Sequence, residues 1–184
     1  FSDSDQNGTS TVDSFSSGNG VIVFKYTLRK SAHAPYAGLT FKKSTPIDLT
    51  RYDRIMLRIR STASSVLKIV VYARVEGITS QSRPMSYAYL TEAITVPQDG
   101  DDCELNLSDL KIPDWWYTLN NLKLYDKRVK VDLSSVDRLT VENGEMNGAD
   151  LADAVSISGI TFVKSPRAIP AACIFLLAGY LAAI

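Results

Sequence analysis

The chain has 184 residues, of which 45% are hydrophobic, 22% charged and 9% aromatic, and these values indicate one globular domain rather than a disordered or collagen-like chain. Twenty basic and twenty acidic residues give a formal net charge of zero, which argues against nucleic-acid binding, because that function needs a concentrated positive field. A single histidine, His33, and two cysteines exclude a zinc-finger array and a multi-histidine metal site.

Short runs rich in β-branched and aromatic residues recur along the chain between turn residues, and each predicts a strand. The predicted strands are 20–29, 36–43, 53–61, 66–75, 85–96, 101–108, 137–142 and 155–164. Alternation on the fourth run predicts Leu67, Ile69 and Val71 inside, with Lys68 and Tyr72 on the opposite face. Eight or nine short strands, with no long amphipathic helix before residue 168, predict an all-β antiparallel sandwich or barrel.

Two stretches depart from this strand pattern. Residues 109–135 are irregular and predict a long excursion between strands, a feature that is more often functional than decorative. Residues 168–184, AIPAACIFLLAGYLAAI, carry no charge and would span about 26 Å as a helix, against ~30 Å for a bilayer core. We therefore predict a β-sandwich at 1–167 and the start of a truncated transmembrane helix at 168–184. A buried hairpin helix or a C-terminal sorting tail is the alternative.

The side of the membrane is less strongly indicated by the sequence. Lys164 and Arg167 precede the apolar run and weakly favour a cytoplasmic domain, but long domains translocate largely regardless of charge. Edges rich in Ser, Thr, Asn and Gly favour the opposite side. We expect the sandwich outside the cytoplasm, in a periplasmic or extracellular location.

Catalytic patterns are weak in this sequence. The acidic residues lie mostly in turns and at strand edges, and no strand carries the glutamate pair that a glycosidase would use. There is no Gly-x-Ser-x-Gly elbow and no phosphate-binding glycine loop. The N-terminal FSDSDQNGTSTVDS has oxygen ligands that suit calcium, but its spacing matches no EF-hand loop, and a polar, partly mobile segment is the simpler interpretation. We predict a non-enzymatic domain without a cofactor, and leave structural calcium open.

Aromatic and basic residues indicate a saccharide site, because sugar rings stack on Trp and Tyr while polar side chains fix the hydroxyls. The segment KIPDWWYTLNN at 111–121 places Trp115 and Trp116 in the long excursion. One should fill the core and the other could be a stacking platform, although both could simply pack the loop down. A second group shares the outward face of the middle strands by period-two counting: Arg58, Tyr72, Arg74, Tyr87 and Tyr89. The alternative for this group is a solvated face with cation–π pairs.

Residues 36–60, YAGLTFKKSTPIDLTRYDRIMLRIR, resemble a signature of galactose-binding-like β-sandwiches. In that signature a Y-A-G-L strand leads to I-D-L-[ST]-x-Y-D and a strand of alternating charge, and the segments DQNGTSTV and SISGITFVK are similar as well. The groups resembled are the family-eleven carbohydrate-binding modules and the complex I intermediate-associated protein family. With LSDLKIPDWW and a following apolar helix, the chain also resembles extracytoplasmic sensor domains of bacterial signalling proteins.

This resemblance, over about residues 8–164, implies a jelly-roll sandwich that binds sugar on its concave sheet face, at the five positions grouped above. It also implies that Asp48, Tyr52 and Asp53 fix a corner. We expect a saccharide-binding sensor domain for an output domain beyond Ile184, with a homodimer as one signalling arrangement. The alternatives are a membrane-anchored adhesion module and a protein-interaction or assembly domain on the same fold.

Overall fold

The computed structural model describes residues 1–6, 8–30, 34–97, 102–143 and 150–164, so His33 and the apolar run at 168–184 lie outside the described residues. The described residues contain one short α-helix, α1 (Asp114–Leu119), and nine strands: β1 (Thr11–Gly18), β2 (Val21–Thr27), β3 (Gly38–Ile47), β4 (Arg54–Ser61), β5 (Val66–Val75), β6 (Ala88–Thr95), β7 (Asp102–Asn106), β8 (Val131–Asn143) and β9 (Ala152–Val163). None of the helices in this part of the chain has the length and apolar character needed to cross a bilayer.

The strands pair in antiparallel fashion into two sheets, which confirms the predicted all-β class. One sheet has five strands in the order β1-β2-β9-β4-β7, and the other has four in the order β3-β8-β5-β6. The predicted excursion at 109–135 contains α1 and the first residues of β8. The sheet order matters for the site, because β4 and β5 follow each other in sequence but belong to different sheets.

Alternating side chains from both sheets meet in one hydrophobic core. Leu57 on β4 and Leu67, Ile69 and Val71 on β5 are each 0% exposed, as the alternation predicts. Burying one such side chain contributes roughly 1.5–3 kcal/mol relative to leaving it in water. This layer joins the two sheets and leaves their opposite faces available for other roles.

Strand β1 is the element that the sequence pattern failed to indicate. All eight of its residues are exposed, so TVDSFSSG lacks the alternation of a strand with one buried face. A two-residue turn, Asn19 and Gly20, joins β1 to β2 with φ angles of 51° and 76°, as in the hairpin turns that match strand twist. The sequence therefore did not predict this strand, which precedes the first predicted run at 20–29.

The β4–β5 connection crosses between the sheets around the buried carboxylate of Asp153 on β9. Both carboxylate oxygens accept hydrogen bonds from side chains and backbone amides. Oδ2 accepts from Tyr26 Oη on β2 at 2.9 Å, from Ser61 Oγ at 2.6 Å and from Ser64 N at 3.2 Å. Oδ1 accepts from Thr62 N at 3.0 Å, from Thr62 Oγ1 at 2.8 Å and from Ala63 N at 2.9 Å. Burial by itself raises the pKa of this carboxyl, but the side-chain hydrogen bonds outweigh it and hold the pKa far below its ordinary 3.8.

The corner that precedes β4 is built from local hydrogen bonds, as the resemblance implies for Asp48, Tyr52 and Asp53. Asp48 Oδ1 accepts hydrogen bonds from Thr50 N at 2.9 Å and Thr50 Oγ1 at 2.6 Å, the side-chain turn expected of aspartate. The Tyr52 amide donates to the Leu49 carbonyl at 3.0 Å, and the Asp53 carbonyl accepts from the Leu107 amide at 2.7 Å. These residues therefore have structural roles.

Candidate functional site

The outward face of the four-stranded sheet collects aromatic and charged side chains from three adjacent strands. Tyr72 on β5 lies opposite Tyr89 on β6 and Arg138 on β8, and Lys68 lies opposite Glu142 on β8. Residues opposite each other in a ladder point to the same side of the sheet. The pairing therefore places these five side chains on one surface.

Three rings form a continuous aromatic row on this surface, defined by Trp115, Tyr89 and Tyr72. The ring centroids of Tyr89 and Trp115 are 5.1 Å apart, and those of Tyr72 and Tyr89 are 5.3 Å apart, both in edge-on geometry. The Arg138 guanidinium lies 4.0 Å from the Tyr72 ring centroid, a close cation–π contact. Because Trp115 is 43% exposed, the row presents ring surface to solvent at its end.

The two adjacent tryptophans have opposite environments because consecutive helical residues point about 100° apart. Trp116 is 0% exposed, and its Nε1 donates to the Tyr87 carbonyl at 2.6 Å. Asn120 Nδ2 donates to the Met85 carbonyl at 3.2 Å and further ties α1 to the segment before β6. Trp116 is thus the core residue and Trp115 the surface residue. The candidate role of Trp116 in ligand contact is wrong, because no part of its side chain reaches solvent.

Arg58 does not lie on the surface that carries the candidate site. It lies on β4 in the five-stranded sheet, whereas Tyr72 and Arg74 lie on β5 in the four-stranded sheet. Its Nε and Nη2 donate to the Asp102 carboxylate at 2.9 and 3.2 Å. The prediction that Arg58 shares a face with Tyr72 and Arg74 is wrong, because the chain changes sheets between β4 and β5 and period-two counting does not continue across such a crossover.

A buried ionic network supports the aromatic row from below. Lys68 Nζ lies 3.2 Å from Glu142 Oε2, and Tyr89 Oη donates to Glu142 Oε1 at 2.9 Å. Glu142 is 4% exposed although it belongs to the outward face, and Val70 and Thr140 on the same face are 0% and 1% exposed. The longer side chains therefore cover the centre of this sheet face. A buried carboxylate held from two sides fixes the Tyr89 ring against Trp115.

The Tyr72 hydroxyl stays protonated over the whole neutral range. Burial, together with the Glu142 charge, raises the pKa of Tyr72 to about 12, although Arg138 opposes this shift. A neutral phenol can both donate and accept a hydrogen bond. The side chain therefore offers a polar group to a hydroxylated ligand rather than a negative charge.

A pocket of about 270 Å³ opens beyond the Tyr72 end of the aromatic row. This basic pocket is lined by Lys42, Lys43, Ser44, Pro46, Arg74, Gln81, Tyr87, Ser135 and Asp137. Arg138 lies 4.0 Å from the Tyr72 ring and 6.0 Å from the Tyr87 ring, so it joins the row to the pocket. The structure thus brings five of the seven predicted residues onto one surface: Tyr72, Arg74, Tyr87, Tyr89 and Trp115.

Lys42, Lys68, Arg138 and Glu142 are among the members of this surface that were absent from the predicted site. The alternation in DRLTVEN already places Arg138 and Glu142 on the face opposite Leu139 and Val141. Sequence does not show, however, that β8 lies beside β5, because 55 residues separate the end of β5 from the start of β8. The site prediction therefore missed Arg138 and Glu142, because it could not identify strands that are neighbours in the sheet but distant in sequence.

No group of three or more His, Cys, Asp or Glu side chains in the described part of the chain is arranged to hold a metal ion. Near the N-terminus, the buried Asp3 carboxylate accepts hydrogen bonds from Ser10 N at 2.8 Å and Ser10 Oγ at 2.9 Å. Asp3 therefore has protein partners at both oxygens. The chemistry that the site itself offers is stacking, hydrogen bonding and positive charge.

Comparison with solved structures finds this fold in other proteins, whereas no family model and no curated protein matches the sequence. The family 11 carbohydrate-binding module of the cellulosomal cellulase Lic26A-Cel5E of Clostridium thermocellum is similar over 85% of this chain and 83% of that one, with 13% identity and a TM-score of 0.57. PfGH50B is similar over 87% of this chain but 23% of its own, with 13% identity and a TM-score of 0.50. The chain thus shares a β-sandwich fold with this family 11 module.

Proposed function

We propose that this protein binds a saccharide, without catalysis, on the outward face of the four-stranded sheet. The observation that carries the proposal is the aromatic row of Trp115, Tyr89 and Tyr72, which ends in a partly exposed indole. The similar fold in a carbohydrate-binding module supports the same ligand class. Binding would place a sugar ring against Trp115, where C–H groups meet the π face.

Polar groups beside the row would select among sugars. The protonated Tyr72 hydroxyl, the Lys68 ammonium and the Arg138 guanidinium can each donate to sugar hydroxyls. Because Lys68 and Tyr89 are already held by Glu142, their positions are set before a ligand arrives. A preorganised site loses less conformational entropy on binding. This arrangement suits recognition without any group poised for bond cleavage.

Replacing Trp115 by alanine is expected to weaken saccharide binding at least about tenfold, as for the loss of a central aromatic contact. The measurement is a glycan array that compares the full chain with Trp115→Ala. Phe15→Ala is the matched control, because Phe15 is 56% exposed but lies on β1 in the other sheet. Its binding should equal that of the wild type.

Two results would contradict the proposed function. One is that the folded wild-type chain binds no glycan on a broad array, which would favour a protein-interaction domain. The other is a bound glycan whose signal is unchanged in Trp115→Ala or falls equally in Phe15→Ala, because the site would then lie elsewhere.

We further propose that the domain acts outside the cytoplasm as the ligand-binding part of a membrane-anchored sensor. The support is the charge-free run at 168–184, whose length approaches that of a bilayer span. A ligand would shift signalling states only by its differential affinity for them. An anchored adhesion module is the alternative, and the coding sequence after Ile184 separates the two, since a kinase or cyclase domain supports sensing.

Charges placed in the apolar run are expected to release the protein from membranes. Leu176→Arg combined with Leu177→Arg would add about 5–7 kcal/mol of insertion cost near the centre of the proposed span. Carbonate extraction of membranes from producing cells should leave the wild-type chain in the pellet and the variant in the supernatant. A wild-type chain found in the supernatant would contradict membrane anchoring.

A further inference from the structure

The basic pocket is lined by more basic side chains than its single carboxylate pairs with. Lys42, Lys43 and Arg74 line it, and Asp137 is its one acidic residue. Asp137 Oδ1 lies 3.4 Å from Lys42 Nζ, and Oδ2 accepts from Arg138 Nη1 at 3.0 Å. Both carboxylate oxygens are therefore already engaged by Lys42 and Arg138. Neither oxygen makes an ion pair with Lys43 or Arg74.

Arg74 is an unpaired cation of this pocket. It lies on β5 and is exposed, and among the described residues its guanidinium has no hydrogen bond or salt bridge. The residue opposite it in the ladder is Asp132, whose Oδ1 accepts instead from Ser134 N at 2.9 Å and Ser134 Oγ at 2.6 Å. The Asp132 carboxylate is thus held by Ser134, and no salt bridge joins it to Arg74.

We infer that the basic pocket is a subsite for an acidic substituent, a carboxylate or sulfate ester, on the bound saccharide. The inference rests on the proposed function and narrows its ligand to acidic polysaccharides. A guanidinium recognises such planar or tetrahedral anions through paired N–H donors, and Gln81 and Tyr87 add neutral polar groups beside it. The volume of about 270 Å³ is below the ~300–1,000 Å³ of drug-sized pockets and suits one charged sugar unit.

The geometry also explains how neutral and charged contacts would work together. Arg138 touches the Tyr72 ring and approaches the Tyr87 ring, so a chain of sugars stacked along the row leads into the pocket. Stacking would supply affinity that is independent of salt, whereas the pocket would add a contribution that salt screens. The two contributions can therefore be separated experimentally.

The test uses matched pairs of polymers that differ only in charge: polygalacturonate against its methyl ester, and a sulfated galactan against its desulfated form. Titration calorimetry with the full chain should show at least one acidic member binding about tenfold tighter than its neutral partner, as for charge-assisted hydrogen bonds. The pair that shows the preference identifies carboxylate or sulfate as the recognised group. The preference should shrink as ionic strength rises.

Arg74→Gln should abolish this preference, while neutral saccharides continue to bind through the aromatic row. Arg60→Gln is the matched control, because Arg60 is also exposed and unpaired among the described residues but lies on β4 in the other sheet. Equal affinity for acidic and neutral partners, or a preference that survives Arg74→Gln, would overturn the inference and leave the proposed function standing. Absence of all saccharide binding would overturn both.

Discussion

Trp116→Ala is expected to lower the free energy of unfolding by about 3–5 kcal/mol, whereas Trp115→Ala should lower it by less than about 1.5 kcal/mol. The buried Trp116 fills the core beneath α1, and its loss also leaves the Tyr87 carbonyl without its indole donor. Trp115 contributes mainly one edge-on ring contact with Tyr89. Urea denaturation of the two variants measures both values.

Each variant serves as the control for the other, because both remove a tryptophan side chain from the same helix. Binding and stability should separate cleanly, with Trp115→Ala folded but weak in saccharide binding. Trp116→Phe should be intermediate in stability, because it keeps an aromatic ring but cannot donate to Tyr87. Equal stability losses in the two alanine variants would contradict the assignment of their roles.

Asp153→Asn is expected to cost about 3 kcal/mol in the free energy of unfolding. An amide offers one acceptor oxygen, so the donors that now converge on the second oxygen would face an NH2 group. Asp48→Asn is the matched control, because Asp48 also accepts hydrogen bonds from a side chain and a backbone amide, but in an exposed turn. Its cost should stay below about 1 kcal/mol.

The Asp153 carboxylate should also govern part of the acid stability. Its pKa in the folded protein lies well below the ordinary value of 3.8, so the folded state binds this proton less readily than the unfolded chain. Its contribution is therefore complete above about pH 4 and is lost as pH falls toward the folded pKa. The free energy of unfolding should fall less between pH 5 and pH 2, roughly the range of carboxyl titration, in Asp153→Asn than in the wild type. Parallel pH profiles would contradict this assignment.

Much of the fold could be predicted because strands such as β4, β5 and β7 bury one face and therefore alternate visibly in the sequence. Strand β1 was not predicted, because all of its residues are exposed and its sequence does not alternate. The turn at Asn19 and Gly20 was the one signal that pointed to it. Strand β8 begins at Val131, earlier than predicted, because its first residues are not buried. Alternation of hydrophobic and polar residues thus indicates that one face of a strand is buried, and an exposed strand need not show it.

The part of the site on β5 and β6 could be predicted, but the contributions of other strands could not. Tyr72, Tyr87 and Tyr89 were grouped correctly, because β5 and β6 are consecutive strands of one sheet. Arg58 was placed on the wrong face because the sequence does not show that the chain changes sheets between β4 and β5. Arg138 was missed because its neighbour in the sheet, Tyr72, is distant in sequence. The choice between Trp115 and Trp116 needed the orientation of a six-residue helix, which packing determines.

The most direct measurement of saccharide binding at the aromatic row uses the two indole N–H signals in a ¹⁵N spectrum. The spectrum is recorded while the full chain is titrated with the strongest glycan from the array. Because Trp115 is exposed and Trp116 is buried and bonded to Tyr87, only the Trp115 signal should shift substantially. The amides of β5 and β6 should shift with it. Shifts confined to the five-stranded sheet, with both indole signals unchanged, would contradict the proposed site.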